Sequence, residues 1–591
     1  MEKRALVAVL LSVAVIVLWQ IFFIPPVTQG PSVPPPAAES SGAAPGPGEA
    51  EPPAPVEGPP APTPAAEAIQ AEAAEEFRLI TGTQDVRLTN QGGRVTWWRL
   101  PRYTLDEGRP VDLIPEQAAA ADVLPLQVKL PGDEETSRRL ATALHRHEIE
   151  EIPAGDPSGL GPGRRVAFSY ADGKGLAVRK SLALSQDGYV ARASLEVTRD
   201  GRPVPAVLVW ATGLSQPVVG DTSSYGHVEG QAVVHDGSSV NRMLPGKLER
   251  RVVYGPATGT PVLWAGLEST YFASLALGTA GEKAAPLTLV LEPVLAPPRP
   301  GAAAEPLLTA GLHAEGPAAW KLFVGPKDYR TLEALGQDLT KAIHFSDFSL
   351  IYLCTKGLFL ALTWINGYVG NYGWSIIILT FVVRLAFFPI TYRSSITMRQ
   401  TSKKMAKLAP RVKSIQEKYR KMKRSMETQA KMNEEIMGLY KKEGVNPMSN
   451  LGGCLPLLLQ MPVFIGFYNL LAVTIEMRQA PFLGWLQDLS LRDPYYITPL
   501  LMGASWLLQQ AMTSSSIPDP MQRRMMMFMP VMFTFFMMHM PSGLVIYWLT
   551  SNLLGMAQQF VINRKADQLE AGHRAREAAA GARRAEDGQT A

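Results

Sequence analysis

A single arginine stands inside a segment that is otherwise as apolar as a membrane-spanning helix. Between Trp374 and Ile390, Arg384 is the only charged residue. At a rise of about 1.5 Å per residue, it lies roughly 15 Å from Trp374, near the middle of a hydrocarbon layer about 30 Å thick. A guanidinium at that depth costs about 2.5–3.5 kcal/mol on insertion scales, and it stays protonated because its pKa is above about 12. Arg384 therefore needs water, a hydrogen-bonding partner or a route to the membrane surface.

Uncharged polar side chains in the apolar segments are the candidates to surround this charge. Thr380 lies one helical turn before Arg384 and on the same face. We interpret Thr380, Arg384 and the polar side chains of the other apolar segments as a polar recess inside the membrane that water can reach. The alternatives are that Arg384 extends to the inner surface, with Pro389 marking the helix end, and that the amides form ordinary interhelical hydrogen bonds. The candidates on other segments are Gln460, Gln509, Gln510, Tyr547, Asn552, Gln558 and Gln559.

Motifs for covalent chemistry are absent from the sequence. It contains no phosphate-binding loop, nucleophile elbow, paired zinc-ligand motif or dinucleotide fingerprint. The two cysteines, Cys354 and Cys454, lie in or near apolar segments without a neighbouring cluster of metal-binding side chains. We therefore expect a protein that is not an enzyme and that uses no metal or cofactor.

The start of the chain has the features of a membrane anchor followed by a tether. The 591 residues are 46% hydrophobic and 19% charged, which fits membrane spans combined with soluble material. Lys3 and Arg4 precede an apolar run over residues 5–24, and no small-residue cleavage site follows it. We predict an uncleaved anchor with a cytoplasmic N-terminus. Residues 27–76 are rich in Pro, Ala, Gly and Glu, a composition typical of a flexible linker.

From residue 77 to 326, apolar and polar residues alternate over short stretches. Examples are Arg165–Tyr170, Tyr189–Val197, Ala206–Trp210 and Leu287–Leu291. Alternation with period two, interrupted by turn residues, is typical of β-strands that bury one face. We predict a large β-sandwich-like domain on the outer side of the inner membrane.

Residues 345–366 form an aromatic, amphipathic segment just before the span that contains Arg384. We predict a helix that lies along the outer membrane surface, because Asp347 and Lys356 interrupt the segment and Trp374 follows closely. The alternative is that the segment crosses the membrane, which would invert the orientation of everything after it.

Residues 392–449 carry the highest density of positive charge. Apolar residues recur there at intervals of seven, three and four, as in Met398, Met405, Leu408 and Val412. This is the spacing of two helices that pack along an apolar seam, so we predict a helical hairpin with basic outer faces and a kink or restart at Pro410.

Four further apolar segments follow, and none contains Asp, Glu, Lys or Arg. Cations flank the connection at 513–524 and follow the last segment, which by the positive-inside rule predicts six spans with both termini in the cytoplasm. The predicted organisation is an anchor at 1–26, a linker at 27–76, a β-domain at 77–326, a helical connection and interfacial helix at 327–369, spans at 370–391, 450–475, 495–512, 525–540 and 541–562, a cytoplasmic hairpin at 392–449, an outer loop at 476–494, a cytoplasmic loop at 513–524 and a cytoplasmic tail at 563–591.

Several motifs in the second half of the chain resemble the YidC/Oxa/Alb family of membrane protein insertases. The resemblance implies a multi-span α-helical membrane protein with a five-helix core, and the large outer domain resembles the Gram-negative form, whose periplasmic domain is a β-supersandwich. The motifs are Asn371 to Arg384, Val445–Met448, Gly452–Pro462, Arg478–Phe482, Asp493–Tyr496, Asp519–Gln522, Pro541–Tyr547 and, in the outer domain, Phe323–Lys327.

The resemblance also implies roles for individual residues. Arg384 matches the family's groove arginine, and Thr380, Tyr547 and Trp548 match positions that contact the client. Trp548 departs from the tyrosine often found there, so no hydroxyl role is assigned to it. Two of the polar residues named above, Gln460 and Gln510, are also predicted to contact the client. The apolar surface along which a client helix would slide into lipid corresponds to Phe464, Phe467, Met527 and Phe533.

The implied partners are nascent membrane proteins and, at the basic hairpin, the ribosome or targeting factors. Anionic lipids are the alternative partner of these cations, and the involvement of a Sec translocon is left open. A small-anion transporter and a structural scaffold are the alternative functions. The predicted ribosome-facing residues are Lys403, Lys404, Lys407, Arg411 and Lys413.

Overall fold

The computed structural model describes residues 68–104, 108–156, 160–215, 230–278, 287–298, 304–421, 425–443, 455–514 and 520–589. The predicted anchor at 1–26 and the linker up to residue 67 lie outside these ranges. Residues 68–326 form a β-rich domain, and residues from 349 onward are mainly helical.

The β-rich domain is built from antiparallel strands whose apolar side chains alternate with polar ones. The stretch Tyr189–Val197 lies largely within β9, and there every second side chain is buried. The strands are β1 (Glu76–Ile80), β2 (Asp85–Thr89), β3 (Arg94–Thr104), β4 (Pro110–Asp112), β5 (Val128–Lys129), β6 (Arg146–Ile152), β7 (Gly163–Ala171), β8 (Leu176–Ser185), β9 (Val190–Arg199), β10 (Arg202–Pro203), β11 (Ala206–Thr212), β12 (Gln231–His235), β13 (Val240–Met243), β14 (Val252–Tyr254), β15 (Trp264–Glu268), β16 (Phe272–Leu277), β17 (Leu289–Leu295), β18 (Pro306–Ala314) and β19 (Ala318–Pro326).

Three sheets make up this domain. The largest has the strand order β13-β12-β15-β16-β19-β9-β8-β7-β6, with β10 paired to β9. A second sheet, β14-β17-β18-β11-β5, packs against it through β11, β15 and β18, and a third has the order β1-β2-β3-β4. The aromatic residues Trp210, Trp264 and Phe323 are fully buried in these layers. Sheets packed in this way confirm the prediction of a β-rich domain in this part of the chain.

From residue 349 onward the described chain forms α-helices of 17 to 49 residues, and three shorter α-helices precede them among the described residues. The helices of the described residues are α1 (Glu116–Ala120), α2 (Glu134–Thr142), α3 (Tyr329–Leu335), α4 (Ser349–Val369), α5 (Tyr372–Arg420), α6 (Met426–Lys442), α7 (Leu455–Val473), α8 (Ile497–Ser514), α9 (Pro520–Met537) and α10 (Ser542–Gln589).

Helix α5 runs without a break from the apolar segment into the basic one. It contains Pro389 and Pro410, both of which remove a backbone hydrogen bond. The alternative in which Pro389 ends the helix is therefore wrong, and Pro410 does not restart it. The side chain of Asn371 caps the helix start by accepting a hydrogen bond from the Trp374 N–H at 3.1 Å.

Two helices of the described residues are long and apolar enough to cross a membrane. They are α4 and residues Tyr372–Thr397 of α5, and the apolar stretches Gln460–Val473 and Arg524–Met537 are shorter. One side of α4 packs against α7, while Leu350, Leu353 and Trp364 are exposed on the other. A helix with one packed and one exposed apolar face suits either position predicted for this segment, so the interfacial placement stays a prediction.

The connection between α7 and α8 joins the β-rich domain to the helices. Arg478 donates a hydrogen bond from Nη2 to the Thr104 carbonyl at 3.0 Å, and Asn371 Nδ2 donates to the Pro481 carbonyl at 3.1 Å. Gly373 lies so close to Phe482 that a Cβ atom would be 2.1 Å from its ring. The loop after α7 thus contacts both the outer domain and the start of α5.

Glu476 lies at this junction in a position unfavourable for a charge. Its Oε1 accepts a hydrogen bond from the Tyr329 N–H at 3.3 Å, and its buried Oε2 has no partner among the described residues. Burial raises the pKa of Glu476 to about 7. The neutral carboxyl is therefore favoured in the folded protein, so the stability associated with it is present at low pH and lost as the pH rises through about 7.

We expect the junction to be less stable at pH 8 than at pH 5.5, by about 2 kcal/mol, because about 1.5 pH units separate pH 5.5 from the pKa of about 7. Glu476→Gln should remove this dependence because the amide cannot ionise. Hydrogen exchange at the Tyr329 amide, corrected for the intrinsic effect of pH, measures it. An equal pH dependence in the wild type and in Glu476→Gln would show that Glu476 is not responsible.

Candidate functional site

Helices α5 and α10 run parallel and are joined by hydrogen bonds between polar side chains. Arg384 bonds to Ser551, and Gln558 donates from Nε2 to Thr391 Oγ1 at 2.7 Å. Both pairs are separated by 167 residues, which shows that the two helices keep one register over about 10 Å. Each helix therefore contributes residues at the same spacing to one interface. We call the set Thr380, Arg384, Thr391, Tyr547, Ser551 and Gln558 the polar seam.

Arg384 binds a neutral oxygen in this seam. Its Nε and Nη2 donate to Ser551 Oγ at 2.9 and 2.6 Å, and Ser551 is buried. Among the described residues, no carboxylate forms a salt bridge with Arg384. A hydroxyl satisfies two of its N–H donors but leaves the positive charge uncompensated. The seam thus retains a cation that can attract an anion.

Tyr547 lies one helical turn before Ser551 and is fully buried. Gln460 of α7 donates a hydrogen bond to its hydroxyl, and the Phe467 ring stacks on it with centroids 4.2 Å apart. The structure therefore brings the predicted residues Gln460 and Tyr547 together, one turn along α10 from the Arg384 contact.

Two of the predicted polar contacts have other surroundings. Thr380 is buried, and its Oγ1 donates to the Ile376 carbonyl of its own helix at 2.6 Å. Gln509, the neighbour of the predicted Gln510, faces α10, because a Cβ atom on Gly555 would lie 2.5 Å from its Nε2. Successive helical residues point about 100° apart, so Gln510 points away from this contact.

The predicted apolar contacts lie mainly inside the bundle. Phe464 and Phe533 both approach the Trp548 ring, with centroids 4.9 Å away, and Trp506 lies 4.9 Å from Phe533. We call Phe464, Phe467, Trp506, Phe533, Tyr547 and Trp548 the aromatic cluster. It fills the space between α7, α8, α9 and α10 instead of forming an exposed surface.

Other residues of α9 form the exposed apolar face. Met527 is half-buried, whereas a set of residues spaced three and four apart along α9 is exposed. This spacing places them on one side of the helix, where they are free to contact lipid or an apolar client. These residues are Met525, Phe528, Met532 and Phe535, and Met529 and Val531 are exposed as well.

Two comparisons with known proteins cover nearly the whole chain. Residues 77–361 match the family described as YidC periplasmic domain, and residues 364–569 match the family described as 60Kd inner membrane protein. A relative from Geobacter metallireducens, named membrane protein insertase YidC, is 32% identical over 584 residues, which cover 97% of this chain and 100% of the relative. This chain belongs to the YidC family of membrane protein insertases. The resemblance found in the sequence motifs is thereby confirmed.

Further relatives agree with the assignment to the YidC family. A membrane protein insertase YidC from Syntrophus aciditrophicus is 34% identical over 595 residues, covering 96% of this chain and 100% of the relative. One from Wolinella succinogenes is 45% identical over 242 residues, covering 41% of this chain and 42% of the relative. A crystal structure of an active YidC insertase with its first transmembrane domain resolved covers 83% of this chain and 93% of its own, at 18% identity and a TM-score of 0.34.

The basic hairpin of this YidC-family chain consists of the end of α5 and the whole of α6. Leu408 is buried in its apolar seam, as the heptad spacing predicts. Arg411 Nη1 forms a salt bridge with Glu443 Oε1 at 2.9 Å, so its charge is partly compensated within the hairpin. Lys404, Lys407 and Lys413 are exposed, while the side chain of Lys403 lies outside the described residues.

Ser551 and Thr391 are members of the polar seam that the sequence did not single out. A serine or threonine inside an apolar segment also occurs in ordinary helix packing, so residue type alone gives no signal. The signal lies in the spacing: Arg384 and Thr391 repeat the seven-residue interval of Ser551 and Gln558. That coincidence is informative only once the two helices are known to be parallel neighbours.

Proposed function

We propose that this protein inserts client proteins into the inner membrane and that Arg384 receives an acidic segment of the client. The observation that supports the proposal is a membrane-depth guanidinium whose partner among the described residues is the neutral Ser551 hydroxyl. A client carboxylate that enters the seam gains a charge-assisted hydrogen bond there, which offsets part of the cost of leaving water. No bond is made or broken, so the protein acts as an insertase and not as an enzyme.

The chain topology that serves this function has six spans, with both termini in the cytoplasm and the β-rich domain in the periplasm. An acidic tail crossing to the periplasm then moves down the membrane potential, which contributes about 2.3 kcal/mol per charge per 100 mV. The apolar helix of the client leaves toward lipid along the exposed face of α9, beside the aromatic cluster. Nascent membrane proteins are the clients.

The exposed lysines of the basic hairpin are the proposed contact with the ribosome or with targeting factors. Lys404, Lys407 and Lys413 extend from the cytoplasmic part of α5 and provide positive charge without a salt bridge to the described residues. The same charges also attract anionic lipid headgroups. Crosslinking from these positions in the presence of ribosomes separates the two partners.

Reconstitution of the purified full chain into vesicles tests the proposed function. The client is a protein with one apolar helix and an acidic tail, supplied without nucleotide, and insertion is measured as protection of the tail from external protease. We expect protection only in vesicles that contain the protein. Binding of the client without protection would favour a scaffold, and uptake of small anions without protection would favour a transporter; either result would refute the insertase.

A further inference from the structure

The contact between Arg384 and Ser551 uses one particular edge of the guanidinium group. A guanidinium has five N–H donors, which form two forks that match a carboxylate. One fork consists of Nε and Nη2, and both of these atoms donate to Ser551 Oγ, at 2.9 and 2.6 Å. The other fork consists of Nη1 and the second N–H of Nη2, and Ser551 does not occupy it.

We propose that Ser551 is the positioning residue that fixes the plane of the Arg384 guanidinium, so that the Nη1/Nη2 fork binds the client carboxylate with two hydrogen bonds. The inference deepens the proposed function and rests on it. It identifies the ligand as a carboxylate bound end-on by a pre-oriented fork, and not as any anion held by diffuse positive charge.

The chemistry of a hydroxyl suits this role better than that of a carboxylate. Ser551 accepts two hydrogen bonds from the cation without cancelling its charge, whereas an aspartate at that position would form a salt bridge and compete with the client. Burial of Ser551 and its place on α10, one turn after the buried Tyr547, restrict the position of the accepting oxygen. Gln558, two turns further on, ties the same helix to α5 through Thr391.

Without this contact, the long arginine side chain adopts several rotamers. Fixing one of them when the client binds costs conformational entropy. Holding the guanidinium beforehand removes that cost from the binding step. The predicted consequence is selectivity: the effect of Ser551 is confined to clients that present a carboxylate.

The experiment compares two versions of one client, with an acidic tail and with the corresponding Asn and Gln tail, in vesicles containing variants of the full chain. The measured quantity is the ratio of insertion of the acidic client to that of the neutral client. Ser551→Ala should lower the ratio by about tenfold, because a hydrogen bond to a charged group is lost. Ser551→Cys should lower it as well, since a thiol accepts weakly and preserves the volume. Ser551→Thr keeps the hydroxyl and should preserve the ratio.

Ser375→Ala is the matched control, because Ser375 is a buried serine on α5 whose hydroxyl donates to the carbonyl of Asn371, the residue that caps the same helix. A ratio unchanged in both Ser551→Ala and Ser551→Cys, or equal losses for the two clients, would overturn the inference. Arg384→Ala distinguishes the two proposals. If it lowers the ratio and the Ser551 variants do not, only the positioning role fails; if it leaves the ratio unchanged, the proposed function fails with it.

A double-mutant cycle gives an independent readout. Lysine at position 384 keeps a charge but lacks the two forks. In an Arg384→Lys background, Ser551→Ala should therefore have little further effect on the ratio. Effects that simply multiply in the two backgrounds would contradict a direct positioning contact.

Discussion

Arg384→Ala is expected to reduce insertion of a client with an acidic tail by about 10- to 100-fold, while the same client with a neutral tail inserts nearly as in the wild type. A carboxylate at the membrane centre costs about 2.5–3.5 kcal/mol, and a hydrogen bond to a charged group returns about 1.5–3 kcal/mol of it. Removal of the guanidinium removes that gain, which corresponds to the stated factor. The neutral tail has no charge to stabilise and serves as the internal reference.

Two further variants test whether the location of the positive charge and the shape of the guanidinium matter, or only the presence of a positive charge. Arg393→Ala removes a cation from the same helix α5, but at an exposed position beyond the seam, and should leave both clients unaffected. Arg384→Lys keeps the charge without the fork and should give an intermediate result. Full insertion of the acidic client by Arg384→Ala would show that the arginine has no role for that client.

Glu268→Gln is expected to lower the free energy of unfolding of the outer domain by about 3–5 kcal/mol. Glu268 is fully buried on β15 and accepts from Arg242 Nε at 2.7 Å and from Lys327 Nζ at 3.4 Å. Burial acts to raise the pKa of Glu268, but the charges of Lys327 and Arg242 outweigh it and hold the pKa below its usual value. Without the carboxylate, two cations remain in a site with little access to water.

The same cluster attaches the outer domain to the segment that leads into α4. Lys327 also donates to the Ala342 carbonyl at 3.2 Å, and Arg242 donates to the Lys341 carbonyl at 2.9 Å. Thermal unfolding of the full chain, followed by the fluorescence of its tryptophans, measures the loss. Glu148→Gln is the control, because Glu148 pairs with Arg146 at the surface, where a salt bridge contributes about 1 kcal/mol or less. Equal losses in the two variants would contradict a special role for the buried cluster.

Residue spacing in the sequence is sufficient to predict features that repeat along a single strand or helix. Period-two alternation located strands such as β7 and β9, and the heptad spacing around Leu408 predicted the hairpin. Arg384 was identified because a lone charge in an apolar segment is costly wherever the segment packs. Each of these inferences depends on neighbours within about ten residues.

Features that depend on pairing between distant elements were not predictable in the same way. The partner of Arg384 is 167 residues away, and its identity follows from the register of α5 against α10. Gln509 and Gln510 are identical neighbouring residues, so the sequence does not distinguish them. Only the packing of the helices decides that Gln509 faces Gly555. The family resemblance predicts Phe464 and Phe533 as part of a sliding surface, whereas tertiary packing places them around Trp548.

Thiol labelling tests most directly whether position 384 lies in a polar recess that water can reach. In a chain without its native cysteines, Arg384→Cys and Leu385→Cys are exposed in turn to a membrane-impermeant maleimide from each side of the membrane. Leu385 is the matched control, since it is the next residue on α5 and is 61% exposed on the side that would face lipid. We predict rapid labelling at position 384 from the cytoplasmic side only, with position 385 unreactive. Failure to label position 384, or equal labelling rates at the two positions, would contradict a water-accessible position for Arg384.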